Sequence, residues 1–519
     1  MPSHPPLRPD HVMPRPLTEL AGTLGITASG GDAAVTGVTH DSHKVRPGDL
    51  FAALPGALTH GARFAAQAEA AGAVAFITDP DGARQITSDL PVLVVDDPRA
   101  RLGELAATIY ARPADDLLML GVTGTNGKTT TTYLIESGLR AAGHRTGLVG
   151  TVETRIDSER LASVRTTPEA ADLHALLAVM REQGVTACVM EVSSHALVLG
   201  RVDAIVFDVA GFTNLSQDHL DFHRDLEDYY AAKAALFTPL RSRRGVVCVD
   251  DEYGRRLAAE ASVPVVTIGT RDPAGAADWV VVKREVSPSG GSTAIELDRG
   301  GRGALGISAP IPGDFNVANA ALAAVMLLEA GLSAGDAARG IALCRGVPGR
   351  MESVHSTGSS EPLAVVDYAH TPEAVENVLR ALRPSTRGRL IAVLGAGGNR
   401  DRHKRPLMGA AAARHADVVI VTDDNPRSEE PAAIRAAVLA GAAEAGGPVQ
   451  VREVADRRQA IEAAVEAAVG TDDTVAVLGK GHEQGQEVAG VVHPFDDRLV
   501  LRQAIERWND RRDPKAART

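Results

Sequence analysis

Positive charge is what this sequence is short of: 54 Lys and Arg stand against 66 Asp and Glu, a formal net charge of −12. That balance disfavours nonspecific nucleic-acid binding, which needs a basic surface. It also repels anionic metabolites at long range, so any phosphate-rich ligand must be held by local cations, metal ions and helix N-termini. Cysteine is scarce too, and Cys188, Cys248 and Cys344 lie far apart with no C-x-x-C pair. This argues against a zinc cluster and for a reducing cytoplasm. Each cysteine falls in an apolar setting and reads as a small buried residue. No apolar run approaches the ~18 residues of a transmembrane span. The first sixteen residues hold six prolines and no continuous apolar segment. They read as a disordered leader and not as a secretory signal. No repeat of solenoid period is present.

What is there suits a soluble globular protein: 519 residues, 44% hydrophobic and 23% charged, enough for about three domains of ~150 residues. The organising stretch is Leu117 to Leu139. An apolar run, Leu117 to Leu120, predicts a buried strand. Gly124-Thr125-Asn126-Gly127-Lys128-Thr129-Thr130 then makes a tight turn, with a helix beginning near Thr130. Glycines let backbone N–H groups close on phosphate oxygens, and a helix N-terminus adds partial positive charge. Lys128 can reach β- and γ-phosphates, and the Thr129 or Thr130 hydroxyl can ligate Mg2+. The pattern G-x-x-x-x-G-K-[ST] is not met, because its first glycine falls on Val122. This is a shortened variant, and an ATP site is the expectation.

Alternating helical patterns and apolar strands predict an α/β fold in three domains after the leader of residues 1–16. Residues 17–115 form a small α/β unit. Residues 116–347 carry the phosphate loop and a mostly parallel sheet, with ligands at the strands' carboxyl ends. Residues 348–507 form a second doubly wound sheet, and 508–519 a frayed tail.

Several residues could carry chemistry. Glu191 ends an apolar strand, where a carboxylate can hold Mg2+ opposite a phosphate loop. A solvated strand-end Glu is the alternative, and the adjacent Ser193-Ser194-His195 favours function. Asn214 to His223 is dense in possible ligands, His219 among them, and spacing alone leaves metal binding open. On physical grounds alone Lys233 is a snorkelling lysine on a helix face. Arg400 follows a strand and a glycine turn. In Asp424-Asn425-Pro426-Arg427, Pro426 stiffens the chain so that the Asn amide and the Arg fork are aimed rigidly; standing alone, the motif reads as an ordinary Asx-Pro turn with a surface Arg. A guanidinium offers two parallel hydrogen bonds to a carboxylate. Gly479-Lys480-Gly481-His482-Glu483 follows another strand, and Glu483 can receive an ammonium group. Arg400, Asn425, Arg427 and Glu483 together suit a zwitterionic amino-acid head.

Six motifs occur in order: Asp41-Ser42 with Pro47-Gly48-Asp49-Leu50-Phe51, the GTNGKTT loop, Glu191-Val192-Ser193-Ser194-His195, Asn214 to His223, Asp367-Tyr368-Ala369-His370, and Asp424 to Arg427. With them the chain resembles the Mur ligases over nearly its whole length beyond the leader. Within that family it is most similar to the branch that adds diaminopimelate to UDP-N-acetylmuramoyl-L-alanyl-D-glutamate in peptidoglycan synthesis. The resemblance implies a UDP-binding domain, a central ATPase and a C-terminal Rossmann-like domain that admits the amino acid. It implies an ATP-dependent ligase, monomeric and cytoplasmic, with no nucleic-acid or membrane partner. By the same matching, Lys233 is carbamylated by carbon dioxide and helps His219 hold a second Mg2+. Thr129 and Glu191 serve the first Mg2+, and Lys128 the phosphates. Ser42, Thr166, Thr167, Ser193 and Arg201 fall on positions contacting the UDP-muramoyl peptide. Asn316, Arg350 and His370 match the nucleotide site. Arg400, Asp424, Asn425, Pro426, Arg427, Gly479 and Glu483 match the diaminopimelate pocket. Two departures stand out: His43 occupies a position where an Arg is usual, and Leu199 one where a Gln is common. They imply a weaker cationic contact and one substrate hydrogen bond fewer. The rival readings are a lysine-adding Mur ligase, a folylpolyglutamate synthase and a non-catalytic nucleotide-binding partner protein. The long first domain disfavours the folate enzyme, and Arg427 would find no carboxylate on a lysine side chain.

Overall fold

Short β-branched and apolar runs between turn residues pair into three main sheets. A computed structural model describes residues 7–28, 31–56, 58–271, 277–286, 292–301, 303–311, 313–356 and 361–512. The first sheet is parallel, in the order Gly37–Thr39, Asp49–Ala52, Ala75–Thr78 and Val92–Val94. Period-two alternation sends Leu50 and Ala52 into one apolar cluster with Leu102 and Leu105 of the helix Pro98–Ile109. Phe51 and Ala53 point into a second cluster on the other face. The first cluster also takes in Ala171, Ala175 and Ala178 of the helix Ala170–Glu182, which docks this unit on the next one.

The leader is not disordered over residues 7–16. Arg8 donates to the Tyr110 hydroxyl and pairs with Asp49 at 3.3 Å. The amides of Asp10 and His11 each donate to Glu182 at 2.9 Å, and Arg15–Pro16 pairs with Ala34–Val35. Proline content predicts an extended, donor-poor chain; these anchors come from side chains distant in sequence, which composition does not reveal. Residues 1–6 of the expected leader lie outside the described residues.

The second sheet has eleven strands among the described residues. Its centre runs Thr146–Val149, Ala187–Glu191, Leu118–Thr123, Val209–Phe212, Gly245–Cys248, Val265–Gly269 and Trp279–Val286, all neighbours parallel. Antiparallel strands extend both edges. After Leu118–Thr123 the chain first builds to one side of that strand and later to the other. The crevice at its carboxyl end is therefore a topological switch point. The helices Lys128–Ala141 and Asp314–Glu329 cover one face with Leu134, Ile135, Leu322 and Met326. Ala170–Glu182 and Leu226–Ala234 cover the other.

The third sheet runs Glu352–Ser353, Leu363–Asp367, Thr474–Leu478, Leu390–Leu394, Val418–Val421, Gln450–Glu453, parallel except at its first, short strand. The final helix, Asp497–Arg512, packs Val500, Leu501, Ala504, Ile505 and Trp508 on it at helical spacing. The expected frayed tail is thus ordered over 508–512: Trp508 donates from Nε1 to the Ala468 carbonyl at 3.1 Å. A terminal charged run hides the apolar stripe that continues through it; residues 513–519 lie outside the described residues. Among the described residues no helix is long and apolar enough to cross a membrane.

Candidate active site

The carboxyl edges of the second and third sheets approach each other, and the loops that leave them form the site. The phosphate loop follows Leu118–Thr123. Gly127, at φ +91°, caps the helix Lys128–Ala141, which starts two residues before the expected Thr130. A Cβ at Gly127 would stand 2.2 Å from Asn319 Oδ1, so no other residue fits. The Thr125 and Asn126 amides donate to the Asn214 carbonyl at 2.9 Å and to its Oδ1 at 3.0 Å. The loop is therefore held by the neighbouring strand end and leaves the first-turn N–H groups of the helix for an anion.

Two lysines converge on this turn. Lys128 Nζ donates to the Gly124 and Thr125 carbonyls, each at 2.8 Å, and Lys233 Nζ donates to Gly124 O at 2.7 Å. Lys233 is 1% exposed and lies over the Tyr229 ring at 4.3 Å, so the snorkelling reading is wrong. Its helix turns that face inward against the sheet end. Burial, aided by the charge of Lys128 and opposed by Asp218, pushes the Lys233 ammonium well below the usual lysine range. Burial also lowers Lys128, against the pull of Glu191 and Asp218.

Glu191 is buried and accepts from Thr151 N at 2.8 Å and Thr151 Oγ1 at 3.0 Å. Thr166 Oγ1 lies 2.9 Å from Thr151 Oγ1. Thr167 Oγ1 donates to the Glu191 carbonyl at 2.9 Å, and Arg201 donates to Thr167 O at 3.3 Å while pairing with Glu169 at 2.7 Å. Ser193 caps the helix Ser194–Val198, accepting from Ala196 N at 3.2 Å. Thr166, Thr167, Ser193 and Arg201 are thus gathered beside Glu191. Ser42 lies on the first unit, donating to Gln67 at 3.4 Å; Lys44 nearby reaches Asp172 of the second unit at 3.4 Å. His43 turns to Gln67 at 3.3 Å.

Asp218 is a centre that the sequence does not single out within its motif. It lies 3.6 Å from His219, 3.7 Å from Lys404 and 4.0 Å from His370. Burial alone would raise its pKa, but the His219 amide, which donates to Oδ1 at 2.9 Å, and the Lys404 ammonium hold the carboxyl low. Burial depresses His219 to about 3 and His370 to about 4. His219, at φ +57°, meets His195 edge to face at 4.9 Å, and His195 stacks on Phe222 at 4.0 Å. Lys404 is hidden in sequence within a basic run that reads as surface.

Among the described residues no three His, Cys, Asp or Glu side chains form a ready metal cage. The Thr129 hydroxyl and Glu191 carboxylate are nonetheless hard oxygen donors of the kind Mg2+ takes, with phosphate oxygens and water completing the shell. Arg350 crosses to this point from the third unit, donating to Thr129 Oγ1 at 3.2 Å and lying over Tyr368 at 4.5 Å. A cleft of about 1040 Å3, open mouth included, is lined by Asn126, Thr129, Thr130, Asn316, Arg350 and His370 among others.

The second group of predicted residues lies on the third sheet. Asn425 Nδ2 donates to Glu483 Oε2 at 2.8 Å, and its Oδ1 accepts from Glu487 N at 3.0 Å. Arg427, at φ +54°, donates to Gly398 O at 2.6 Å and pairs with Glu487 at 3.4 Å. Asp424 is buried, the Pro426 carbonyl accepts from Glu429 N, and Gly479 N donates to Asp367 O at 3.0 Å. Arg400 is half exposed and stands off, 4.0 Å from Asp221 of the second unit. Two contributors escape sequence reasoning. Lys480 is fully buried against Asn425 and Glu483. Arg457, buried with Asp497 at 2.7 Å, donates to the carbonyls of Asp423 and Leu478, and so steadies both pocket loops. Neither Arg457 nor Asp497 belongs to a motif.

Three family models match this chain: the Mur ligase family catalytic domain at residues 34–110, the Mur ligase middle domain at 122–327, and the Mur ligase glutamate ligase domain at 349–481. The chain is 59% identical over 507 residues to the UDP-N-acetylmuramoyl-L-alanyl-D-glutamate–2,6-diaminopimelate ligase of Streptomyces avermitilis, covering 96% of this chain and 98% of that relative. It is 49% identical to the protein of the same name from Corynebacterium glutamicum, covering 93% and 94%. A solved structure carrying that enzyme name superposes with a TM-score of 0.64 at 34% identity, covering 92% of this chain and 96% of that one.

Proposed function

The chain belongs to the Mur ligase family, ATP-dependent ligases that form amide bonds, and we propose from that premise its substrates and the residues that serve them. It joins 2,6-diaminopimelate to UDP-N-acetylmuramoyl-L-alanyl-D-glutamate in peptidoglycan precursor synthesis, as the names of its relatives state for them. One observation carries the assignment of parts: a phosphate loop on one sheet edge faces a polar pocket on another, bridged by Arg350 to Thr129 and Lys404 to Asp218.

A carboxylate is a poor electrophile. ATP therefore transfers its γ-phosphoryl group to the D-glutamyl side-chain carboxylate, giving an acyl phosphate and ADP. An amino group of diaminopimelate attacks the acyl carbon, loses a proton, and the tetrahedral intermediate expels phosphate to leave the amide. Lys128, the first-turn N–H groups of the helix Lys128–Ala141 and Arg350 hold the phosphates, and Asn316 and His370 flank the nucleotide. Ser42, Thr166, Thr167, Ser193 and Arg201 bind the UDP-muramoyl peptide. Arg400, Asp424, Asn425, Pro426, Arg427, Gly479 and Glu483 surround the distal amino-acid head, carboxylate toward Arg and ammonium toward Glu.

Lys233 suits carbamylation, because carbon dioxide adds to a neutral amine and burial favours that form. The added carboxylate supplies an oxygen donor beside His219. When bound, two Mg2+ ions on Thr129, Glu191, His219 and carbamylated Lys233 would neutralise the oxygens crowded together at phosphoryl transfer. Closure of the two sheet edges excludes water from the acyl phosphate. Three free buried cysteines fit a cytoplasmic setting.

The test is a substrate panel: ATP and UDP-N-acetylmuramoyl-L-alanyl-D-glutamate with meso- or LL-diaminopimelate, L-lysine or L-ornithine, scored by product mass. Product with diaminopimelate alone is expected. Lysine joined equally well, with Arg427 dispensable for both, would overturn the assignment.

A further inference from the structure

We propose that Lys480 is a specificity-determining residue: its buried charge makes the pocket accept a zwitterionic head and refuse a lone ammonium. This rests on the diaminopimelate reading above. Lys480 follows the strand Thr474–Leu478 and has no solvent exposure. Its Nζ donates to Asn425 Oδ1 at 2.9 Å and to Glu483 Oε2 at 3.0 Å.

Two consequences follow. First, the Asn425 amide has one possible orientation. Lys480 Nζ and Glu487 N are both donors, so Oδ1 must face them and Nδ2 must face Glu483. The amide cannot flip to offer its oxygen to an incoming ammonium. Second, Glu483 is not a bare anion. Its Oε2 already accepts from Lys480 and Asn425, and its charge is matched by a cation buried 3.0 Å away. Arg427 is likewise matched by Glu487 at 3.4 Å. These four groups sum to zero, and Asp424 and Arg400, the other charged residues named for the pocket, offset each other. A head bearing both carboxylate and ammonium adds no net charge and finds a partner for each end. A side chain ending in ammonium alone meets an attraction that Lys480 has largely cancelled, with no anion of its own for Arg427. Arg427 rewards the carboxylate; Lys480 penalises its absence.

The test compares kcat/KM for diaminopimelate and for L-lysine in wild-type protein, Lys480→Met and Lys480→Arg, at saturating ATP and UDP-substrate. In Lys480→Met the ratio of the two is expected to fall at least tenfold, with KM for ATP within twofold of wild type. Lys480→Arg, which keeps the charge, is expected to hold most of the ratio. Lys480→Gln keeps a donor to Asn425 and Glu483 without the charge, and gives the same comparison should the Met variant fail to fold. A ratio within twofold of wild type in either neutral variant overturns the role of Lys480 while leaving the reaction intact. Wild-type protein that forms no diaminopimelate product overturns both.

Discussion

At the scale of single residues, burial converts ordinary side chains into chemical ones. Lys233 is the clearest instance. On sequence physics it is a solvated helix lysine, and only its packing against Tyr229 and Gly124 makes it a depressed amine. Lys233→Ala should lower kcat at least ~100-fold, the scale of removing a group that stabilises charge at phosphoryl transfer. Short carboxylic acids should restore part of that activity by standing in for the proposed carbamate. Full activity in the unrescued variant would refute the role. His174 shows burial acting on stability instead. It is fully buried, donates to the Asp203 carbonyl at 3.0 Å, and is pushed from 6.5 down to about 4. Below pH 6.5 the unfolded chain takes up a proton that the native state refuses, so stability falls as pH drops toward 4. The full effect is about 3 kcal/mol. His174→Gln, which keeps a donor for Asp203 but does not titrate, should lose less melting temperature than wild type between pH 7 and pH 5. Equal losses would show that His174 is not the group responsible.

Among elements, strand ends do the placing. Parallel strands release their loops on one edge, so residues far apart in sequence meet without any local signal. The phosphate loop was legible because it is continuous: strand, glycine turn, Lys-Thr and helix stand in one stretch. The pocket on the third sheet was legible only in pieces, since Asn425 and Glu483 meet through two strands neighbouring Leu390–Leu394. Arg457 left no trace in the sequence, sitting in an unremarkable helix, yet it joins the carbonyls that lead into both loops. Arg457→Met leaves Asp497 buried without its partner and should cost about 3–5 kcal/mol. Adding Asp497→Leu should recover the part of that loss owed to the unpaired carboxylate, while the Asp423 and Leu478 carbonyls stay without their donor. Urea melts followed by a probe in the third unit would read both. A double variant no more stable than the single one would show that the pair does more than satisfy itself.

For the whole molecule, the candidate site exists only where separate units meet. Arg350 lies in the connection into the third sheet, reaching Thr129 in the phosphate loop while stacked on Tyr368. Arg350→Ala should lower kcat/KM for ATP about 10- to 100-fold. In wild-type protein, ADP should slow amide exchange in residues 349–353 and 368–370 as well as in the phosphate loop. Protection confined to the loop would place the nucleotide on the second unit alone. The ordered stretch 7–16 belongs to this scale too, since its anchors, Asp49, Tyr110 and Glu182, are spread over two units. The amino-acid sequence by itself determined the α/β class, the glycine turn from strand to helix and the family, because each is written in contiguous spacing: period-two apolar runs, glycines at a turn, motifs in a fixed order. Which lysines are buried, which carboxylates are already matched, and that Asp218 and Lys404 face each other were decided only by the tertiary structure. Desolvation and charge pairing depend on distances between strand ends, and no local pattern encodes those.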